Sequence, residues 1–337
     1  MTGFRYHALA LTTSVVTLAV GVVVGVGPLS EAQTSKHQDQ VARLQHRQDV
    51  LSQSLAATRA RAGDDHALAQ ALAGPLTADR LKGRTVVVVA TPGADRPLVR
   101  RTIADLKAAG ATVTGTVSLS NVYVDPGKAQ SPLEDLVLRL VPPGVTFTNG
   151  SSAIERVGTV LARSTVTAAA APPAATPAAT DQKAAEVIAG LSELGALQLR
   201  GVPGRLAQFA VVVAGPPARG TDAVTGARDA LLGLVAALDK GSRGVVVVGS
   251  VDAARPDRLI AQVRTSPITR NPSTVDTGGS VGGDLALVLA LAEQAAGRAG
   301  DYGRGAGADA LVPDTLAPDT LAPGALTPNV AGTTGTG

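Results

Sequence analysis

Cysteine and tryptophan are both absent from the 337-residue sequence, and methionine occurs once. Without thiols the chain cannot form disulfides, use a cysteine nucleophile or bind a metal through thiolates. Aromatic residues are also scarce, with three phenylalanines and three tyrosines, and the formal net charge is only +3. Because nucleic-acid surfaces combine basic patches with aromatic side chains that stack on bases, we expect no nucleic-acid partner.

Catalytic signals are equally sparse. The four histidines all precede residue 81, so the remaining chain offers no imidazole as a general base or triad member; they are His7, His37, His46 and His66. The patterns GxxxxGK[ST] and HExxH do not occur. We therefore predict a non-enzymatic protein with no catalytic residue, no internal metal site and no bound cofactor.

A long apolar run near the amino terminus, from Ala8 to Leu29, contains no ionisable residue. A bilayer core requires about 20 apolar residues, so we predict a transmembrane anchor within residues 1–30. The apolar residues of this predicted span are Ala8, Leu9, Leu11, Val15, Val16, Leu18, Val20, Val22, Val23, Val24 and Val26. A cleaved signal peptide, ending near Ser30-Glu31-Ala32, and a buried core helix are the alternatives. Arg5 before the run and Glu31 after it favour an extracytoplasmic location for the rest of the chain.

A heptad pattern follows the apolar run, and it predicts a coiled-coil stalk over residues 31–66. With Thr34 at position a, one apolar seam contains Val41, Leu44, Gln48, Leu51 and Leu55. Such a seam favours a parallel homodimer, with the polar Gln48 fixing the register. A solvated helix that packs against its own domain is the alternative.

From residue 81 the pattern predicts an α/β fold with a mostly parallel sheet. Continuous valine-rich runs at 84–90, 209–214 and 245–248 are typical of strands buried on both faces, and amphipathic helices separate them. We divide this part into a first half (81–165), an Ala/Pro-rich linker (166–180), a second half (181–310) and a disordered tail (311–337). The pattern leaves open whether the halves share one sheet.

Three aspartates lie near predicted strand ends, where α/β proteins bind ligands: Asp95, Asp252 and Asp276. Helix caps and turns explain them equally well. The glycine-rich run from Gly300 to Gly307 resembles a phosphate-binding loop, but it follows a predicted helix, and a surface turn is the favoured interpretation.

Four stretches together resemble the actinobacterial MctB family, which is often labelled copper transporter. They are FRYHALALTTSVVTLAVGVVVGVGPLS, VVVVATPGAD, GATVTGTVSLSNVYVDP and STVDTGGSVGGDLALVLALAEQAAGRAGDYGRGAGA. The resemblance implies a membrane-associated envelope protein that takes part in copper tolerance and is described as an outer-membrane channel. It also implies a second view, in which similar proteins are dimeric envelope components that act in cell separation with a cytoplasmic partner and a wall hydrolase.

Two functions are therefore compatible with the sequence. The first is copper transport or copper homeostasis at the cell envelope, with copper as a transported ion. The second is a non-enzymatic scaffold whose stalk dimerises and whose α/β head binds an envelope or cytoplasmic protein. Copper(I) prefers Cys and Met ligands, and the chain has no cysteine and a single methionine, which favours the scaffold. Whether the inner or the outer membrane holds the anchor is left open.

Overall fold

A computed structural model describes residues 31–124, 130–169, 180–216, 221–267 and 272–314. The predicted membrane anchor, most of the linker and the tail from residue 315 onward lie outside these ranges. Contacts divide the chain into two compact units, residues 1–67 and 68–337. Within the described ranges, no helix is both long enough and apolar enough to cross a bilayer.

The first helix, α1, covers Glu31–Thr77 and is 47 residues long. It confirms that the predicted stalk region is helical. Three leucines of the predicted seam are largely exposed on the single chain: Leu44 is 63%, Leu51 68% and Leu55 50% accessible. Gln48, between them, is exposed as well. Pairing of two such helices stays a prediction.

The second unit alternates strands and helices. Its strands are β1 (Thr85–Ala90), β2 (Thr112–Leu119), β3 (Leu197–Gly201), β4 (Phe209–Val213), β5 (Gly244–Val248), β6 (Ser273–Val275) and β7 (Asp301–Tyr302). Its helices are α2 (Arg96–Ala108), α3 (Asn121–Val124), α4 (Gln130–Arg139), α5 (Ala153–Arg163), α6 (Gln182–Glu193), α7 (Thr221–Gly241), α8 (Leu259–Thr265) and α9 (Val281–Ala295), with a 3-10 turn at Val251–Ala254.

The strands form one seven-stranded sheet in the order β3-β2-β1-β4-β5-β6-β7. All neighbours are parallel except β2 and β3, which are antiparallel. The α/β class and the mostly parallel sheet are thus confirmed, and the two predicted halves share a single sheet. The chain order reverses between β1 and β4, because β2 lies on one side of this pair and β5 on the other.

Alternate residues of β1 enter two different apolar cores. Val86 and Val88 pack against α2 and α9, whereas Val87 and Val89 face the side covered by α3 to α8. All four valines are at most 3% accessible. A strand covered on both faces must be apolar at every position, which explains the unbroken valine run.

The short edge strands were not predicted. The strand β3 has the partly polar sequence Leu-Gln-Leu-Arg-Gly at one edge, and the opposite edge strand β7 has two residues. Edge strands are exposed on one side or are too short to show a period, so their sequences lack the continuous apolar run of β1.

Candidate functional site

The reversal of strand order between β1 and β4 opens a crevice at the carboxyl edge of the sheet. In a doubly wound α/β fold, the connections that leave such a pair of strands run in opposite directions and leave a gap between them. Here a cleft of about 540 Å³ occupies that position. Its lining comes from the segments that follow β1, β4, β5 and β6.

Two tight turns place glycine residues, which have no side chain, in the lining of the cleft. Gly93, after β1, has a φ of +73°, a conformation that favours glycine. Gly215, after β4, approaches the β1 turn so closely that a Cβ atom there would lie 2.4 Å from the Pro92 carbonyl oxygen. The Gly215 N–H donates to the Thr91 hydroxyl at 2.6 Å, which joins the two turns.

Three arginines line the walls of the cleft. Arg101 comes from α2, and Arg255 and Arg258 come from the segment after β5. Each guanidinium has an acidic neighbour: Asp284 lies 3.6 Å from Arg101, Asp252 lies 3.0 Å from Arg255, and Asp257 lies 3.4 Å from Arg258. Sequence reasoning missed these arginines, because their clustering depends on two chain segments that lie about 150 residues apart.

Of the three aspartates predicted near strand ends, two line this cleft. Asp95 occupies the N-cap position of α2, but its side chain makes no capping hydrogen bond within the described residues. Asp252 lies in the 3-10 turn, where its carboxylate pairs with exposed Arg255. Both aspartates therefore lie at the carboxyl edge of the sheet, and both also occupy the cap or turn positions of the alternative interpretation.

The third aspartate, Asp276, is fully buried and structural. Its carboxylate lies 3.0 Å from Nη1 of Arg264, and it accepts hydrogen bonds from the backbone N–H groups of Arg304 and Gly305 at 2.7 and 2.8 Å. The glycine-rich loop thus surrounds an anion that belongs to the protein itself. This is the physical reason for its resemblance to a phosphate-binding loop.

Asp105 on α2 and Asp284 on α9 form a half-buried acidic pair behind the cleft. The pKa of Asp105 is raised to about 6, first by burial and then by the nearby Asp284 charge, while the Arg101 charge acts in the opposite direction. Burial also raises the pKa of Asp284, while Arg101 lowers it. Oδ2 of Asp105 is buried without a hydrogen-bond partner among the described residues. The Arg101 side chain therefore neutralises an acidic pair on one side while it lines the cleft on the other.

The run 278–282 has the GxSxG spacing of a serine-hydrolase elbow, and it joins β6 to α9. The serine has a different role here, since Ser280 caps α9 by accepting from the Gly283 N–H at 3.1 Å. Its hydroxyl donates to the Thr277 carbonyl oxygen at 2.7 Å. With φ at −100°, Ser280 has ordinary extended backbone rather than a strained elbow.

An apolar recess of about 730 Å³ adjoins the cleft on the far side of Ser250 and Gly279. Val251, Leu311 and Val312 line it, together with Arg304. The first residues of the predicted tail, 311–314, therefore lie against the α/β domain.

Possible metal ligands are dispersed in the described part of the chain. No three His, Asp or Glu side chains of that part come together in a group that could hold a metal ion. The predicted stalk histidines lie on α1, and His7 lies outside the described residues.

Comparison with known proteins identifies the family of this chain. The family model described as "Copper transport outer membrane protein, MctB" matches residues 1–313. The protein named "Copper transporter MctB" of Mycobacterium tuberculosis (strain ATCC 25618 / H37Rv) is 29% identical over 332 residues, which cover 93% of this chain and 99% of that protein. The same named protein of Mycobacterium bovis is 29% identical with the same coverage, and that of Mycobacterium leprae is 27% identical over 326 residues, with 93% and 99% covered. The chain belongs to the MctB family.

Proposed function

We propose that this chain is a membrane-tethered envelope protein that serves copper homeostasis as a non-enzymatic, dimeric scaffold. In this role the α1 helices of two copies pair, and the α/β domains bind a protein partner. The description of the family as an outer membrane protein supports the envelope location. The apolar run at 8–29 supports a tether.

The observation that carries this proposal is the exposed leucine seam of α1. Leu44 and Leu51 at position d and Leu55 at position a of one heptad register are each at least half accessible. A single helix is only marginally stable in water, because most helical stability in proteins comes from packing of an apolar face. Burial of a leucine side chain contributes about 2 kcal/mol, so pairing of two seams gives α1 the stability that it lacks alone.

Cysteine cross-linking tests the pairing, and no other cysteine of the chain can form a competing disulfide, since the natural sequence has no thiol. Leu51→Cys places the thiol at position d, where the side chains of a parallel pair meet, and Gln53→Cys places it at the outermost position f. Under mild oxidation of the full chain in membranes, we expect a disulfide-linked dimer from Leu51→Cys and far less from Gln53→Cys. Equal cross-linking of both variants would contradict an in-register pair.

The role in copper homeostasis needs a separate test. Cells that lack this chain should be more sensitive to copper, and the wild-type chain should restore growth. If the scaffold is required, Leu51→Lys, which places a charge in the seam, should fail to restore growth, whereas Gln53→Lys should succeed. Restoration by both variants would show that pairing is not needed.

Direct copper transport is the second candidate, and the names of the relatives favour it. It predicts that the purified full chain moves copper across vesicle membranes, whereas the scaffold predicts no movement. Soft sulfur ligands would be minimal on such a path, because the chain has one methionine and no cysteine. A third outcome, unseparated daughter cells without any copper phenotype, would instead support the cell-separation version of the scaffold.

A further inference from the structure

The cleft at the carboxyl edge of the sheet combines an open volume with converging positive charge. We propose that it is a binding site for a small organic anion whose phosphate or carboxylate group is held by Arg101, Arg255 and Arg258. This inference goes beyond the scaffold function, because it assigns a small-molecule ligand to the α/β domain itself.

The floor of the cleft allows a ligand to approach the backbone closely. A Cβ atom on Gly278 would lie 2.7 Å from Cγ2 of Val248, and one on Gly215 would lie even closer to the Pro92 carbonyl oxygen. Side chains are thus excluded from both positions, at Gly278 by the β5 side chain and at Gly215 by the turn after β1.

The walls carry more positive than negative charge. Three arginines and two aspartates, Asp95 and Asp252, line the cleft. The acidic partners of Arg101 and Arg258 belong to residues outside the lining, Asp284 and Asp257. Guanidinium groups recognise planar carboxylates and phosphates through paired hydrogen bonds, so this arrangement favours an oxyanion over a cation.

The arginines retain donors for a ligand. Both described contacts of Arg101, to the Gly279 carbonyl oxygen and to Asp284, use Nη1, so three N–H donors remain on Nε and Nη2. The described contact of Arg258, to Asp257 at 3.4 Å, uses Nε, so the N–H groups on Nη1 and Nη2 of this partly exposed side chain remain for a ligand. Arg255 is 65% exposed and can turn toward a ligand.

The amino end of α2 adds to the positive electrostatic potential of the three arginines. Asp95 does not cap the helix with its side chain, and Pro97 supplies no N–H in the first turn. Pro97 and Leu98, in the first turn of α2, line the cleft, so the positive end of the helix dipole faces it together with the three guanidinium groups. The volume of about 540 Å³ suits a small organic molecule, which leaves room for an apolar or polar body beyond its anionic group.

Titration calorimetry on the full chain in detergent micelles tests this site, with sodium pyrophosphate and sodium citrate as probes. We expect at least one probe to bind with a dissociation constant below about 1 mM, and added salt to weaken it. Arg101→Gln and Arg258→Gln should each weaken binding about tenfold, because each removes one charge-assisted contact. Tighter binding of pyrophosphate would indicate a phosphate ligand, and tighter binding of citrate a carboxylate.

Arg298→Gln is the matched control. Like Arg101, Arg298 is 51% exposed and lies 3.6 Å from an acidic partner, but it precedes β7 and so lies at the amino edge of the sheet. Its substitution should leave binding unchanged. Arg255→Gln is a third cleft variant. Because Arg255 is exposed, this variant should fold even if Arg258→Gln does not, and it should weaken binding as well. The proposal fails if neither probe binds, or if the cleft variants and Arg298→Gln lose affinity equally.

Discussion

Asp276 and Arg264 form a buried ion pair that joins the end of β6 to α8, and both side chains bind the loop after β7. Their closest atoms, Oδ2 and Nη1, are 3.0 Å apart, and the two side chains are 0% and 2% accessible. Arg264 also donates to the carbonyl oxygens of Tyr302 and Ala306 at 3.1 and 3.0 Å. The pair therefore holds the glycine-rich loop in place, next to the cleft and the adjoining recess.

Replacing Asp276 with Asn should destabilise the fold strongly. The change removes the nearer of the two carboxylates beside the buried Arg264 charge and leaves Asp301, 3.7 Å from its Nε. Removing one partner of a buried ion pair costs about 3–5 kcal/mol. Urea unfolding of the full chain measures this difference. Asp252→Asn is the control, because its pair with Arg255 is exposed and should contribute less than about 1 kcal/mol. Equal effects of the two substitutions would show that the buried pair does not stabilise the loop.

Gly303→Ala should disrupt the same loop by a steric route. Gly303 has a φ of +133°, and a Cβ atom there would lie 2.0 Å from Oδ1 of Asp276. We expect a loss of more than about 2 kcal/mol in unfolding free energy. Gly297→Ala is the matched control, since Gly297 also has a positive φ, +76°, but has open space around the added methyl group. Its cost should be only about 1 kcal/mol. A larger loss in Gly297→Ala would argue against the clash.

Asp105→Asn should stabilise the protein at neutral pH. The pKa of Asp105 is about 6 in the fold, against 3.8 as the ordinary value, because burial and Asp284 disfavour its charge. Between these two pH values the folded chain holds a proton that the unfolded chain has released. Stability from this group is therefore complete below about pH 4 and is lost as the pH rises through 6.

Thermal unfolding of the full chain at a series of pH values measures the effect of Asp105→Asn. At pH 7 the variant should gain about 1 kcal/mol, a figure reduced for solvent screening because Asp105 is only half buried. The gain should disappear near about pH 4, where the wild-type carboxyl is protonated. Asp229→Asn, on exposed α7 surface, should change stability little at any pH. A gain that persists unchanged at low pH would exclude charge burial as its cause.

Gln48→Leu should strengthen pairing of α1 while making it less specific. A polar side chain at a single a position fixes register and oligomer number at a cost in stability. Sedimentation of the full chain in detergent should then show a tighter dimer together with larger oligomers. Gln53→Leu, at the outer position f, should change neither property. A monomeric Gln48→Leu chain would contradict the proposed seam.

The α/β architecture was predictable because its central strands are covered on both faces. The valines of β1, β4 and β5 are buried whichever way they point, so their sequence cannot be mistaken for an alternating, half-exposed strand. Helix capping was also predictable, because a cap is formed by residues that are close together in the sequence. Asp181 occupies the N-cap position of α6, and its carboxylate accepts from the Ala184 N–H at 3.0 Å.

The candidate site was predictable only as an edge of the sheet. Asp95, Asp252 and Asp276 share the same pattern in sequence, a carboxylate after an apolar run, yet two line a cleft and one is buried beside Arg264. What separates them is the loop after β7, about 30 residues further along the chain than Asp276. No local pattern contains that information.

By itself, the sequence determined the fold class, the helical region after residue 31 and the absence of thiol chemistry. These properties depend on residue type and short-range periodicity, which act within one element. The tertiary structure decided that both halves share one sheet, that Arg101, Arg255 and Arg258 meet in one cleft, and that the glycine-rich loop binds an internal carboxylate. These properties depend on contacts between residues far apart in the chain, and such contacts exist only after the strands have taken their order in the sheet.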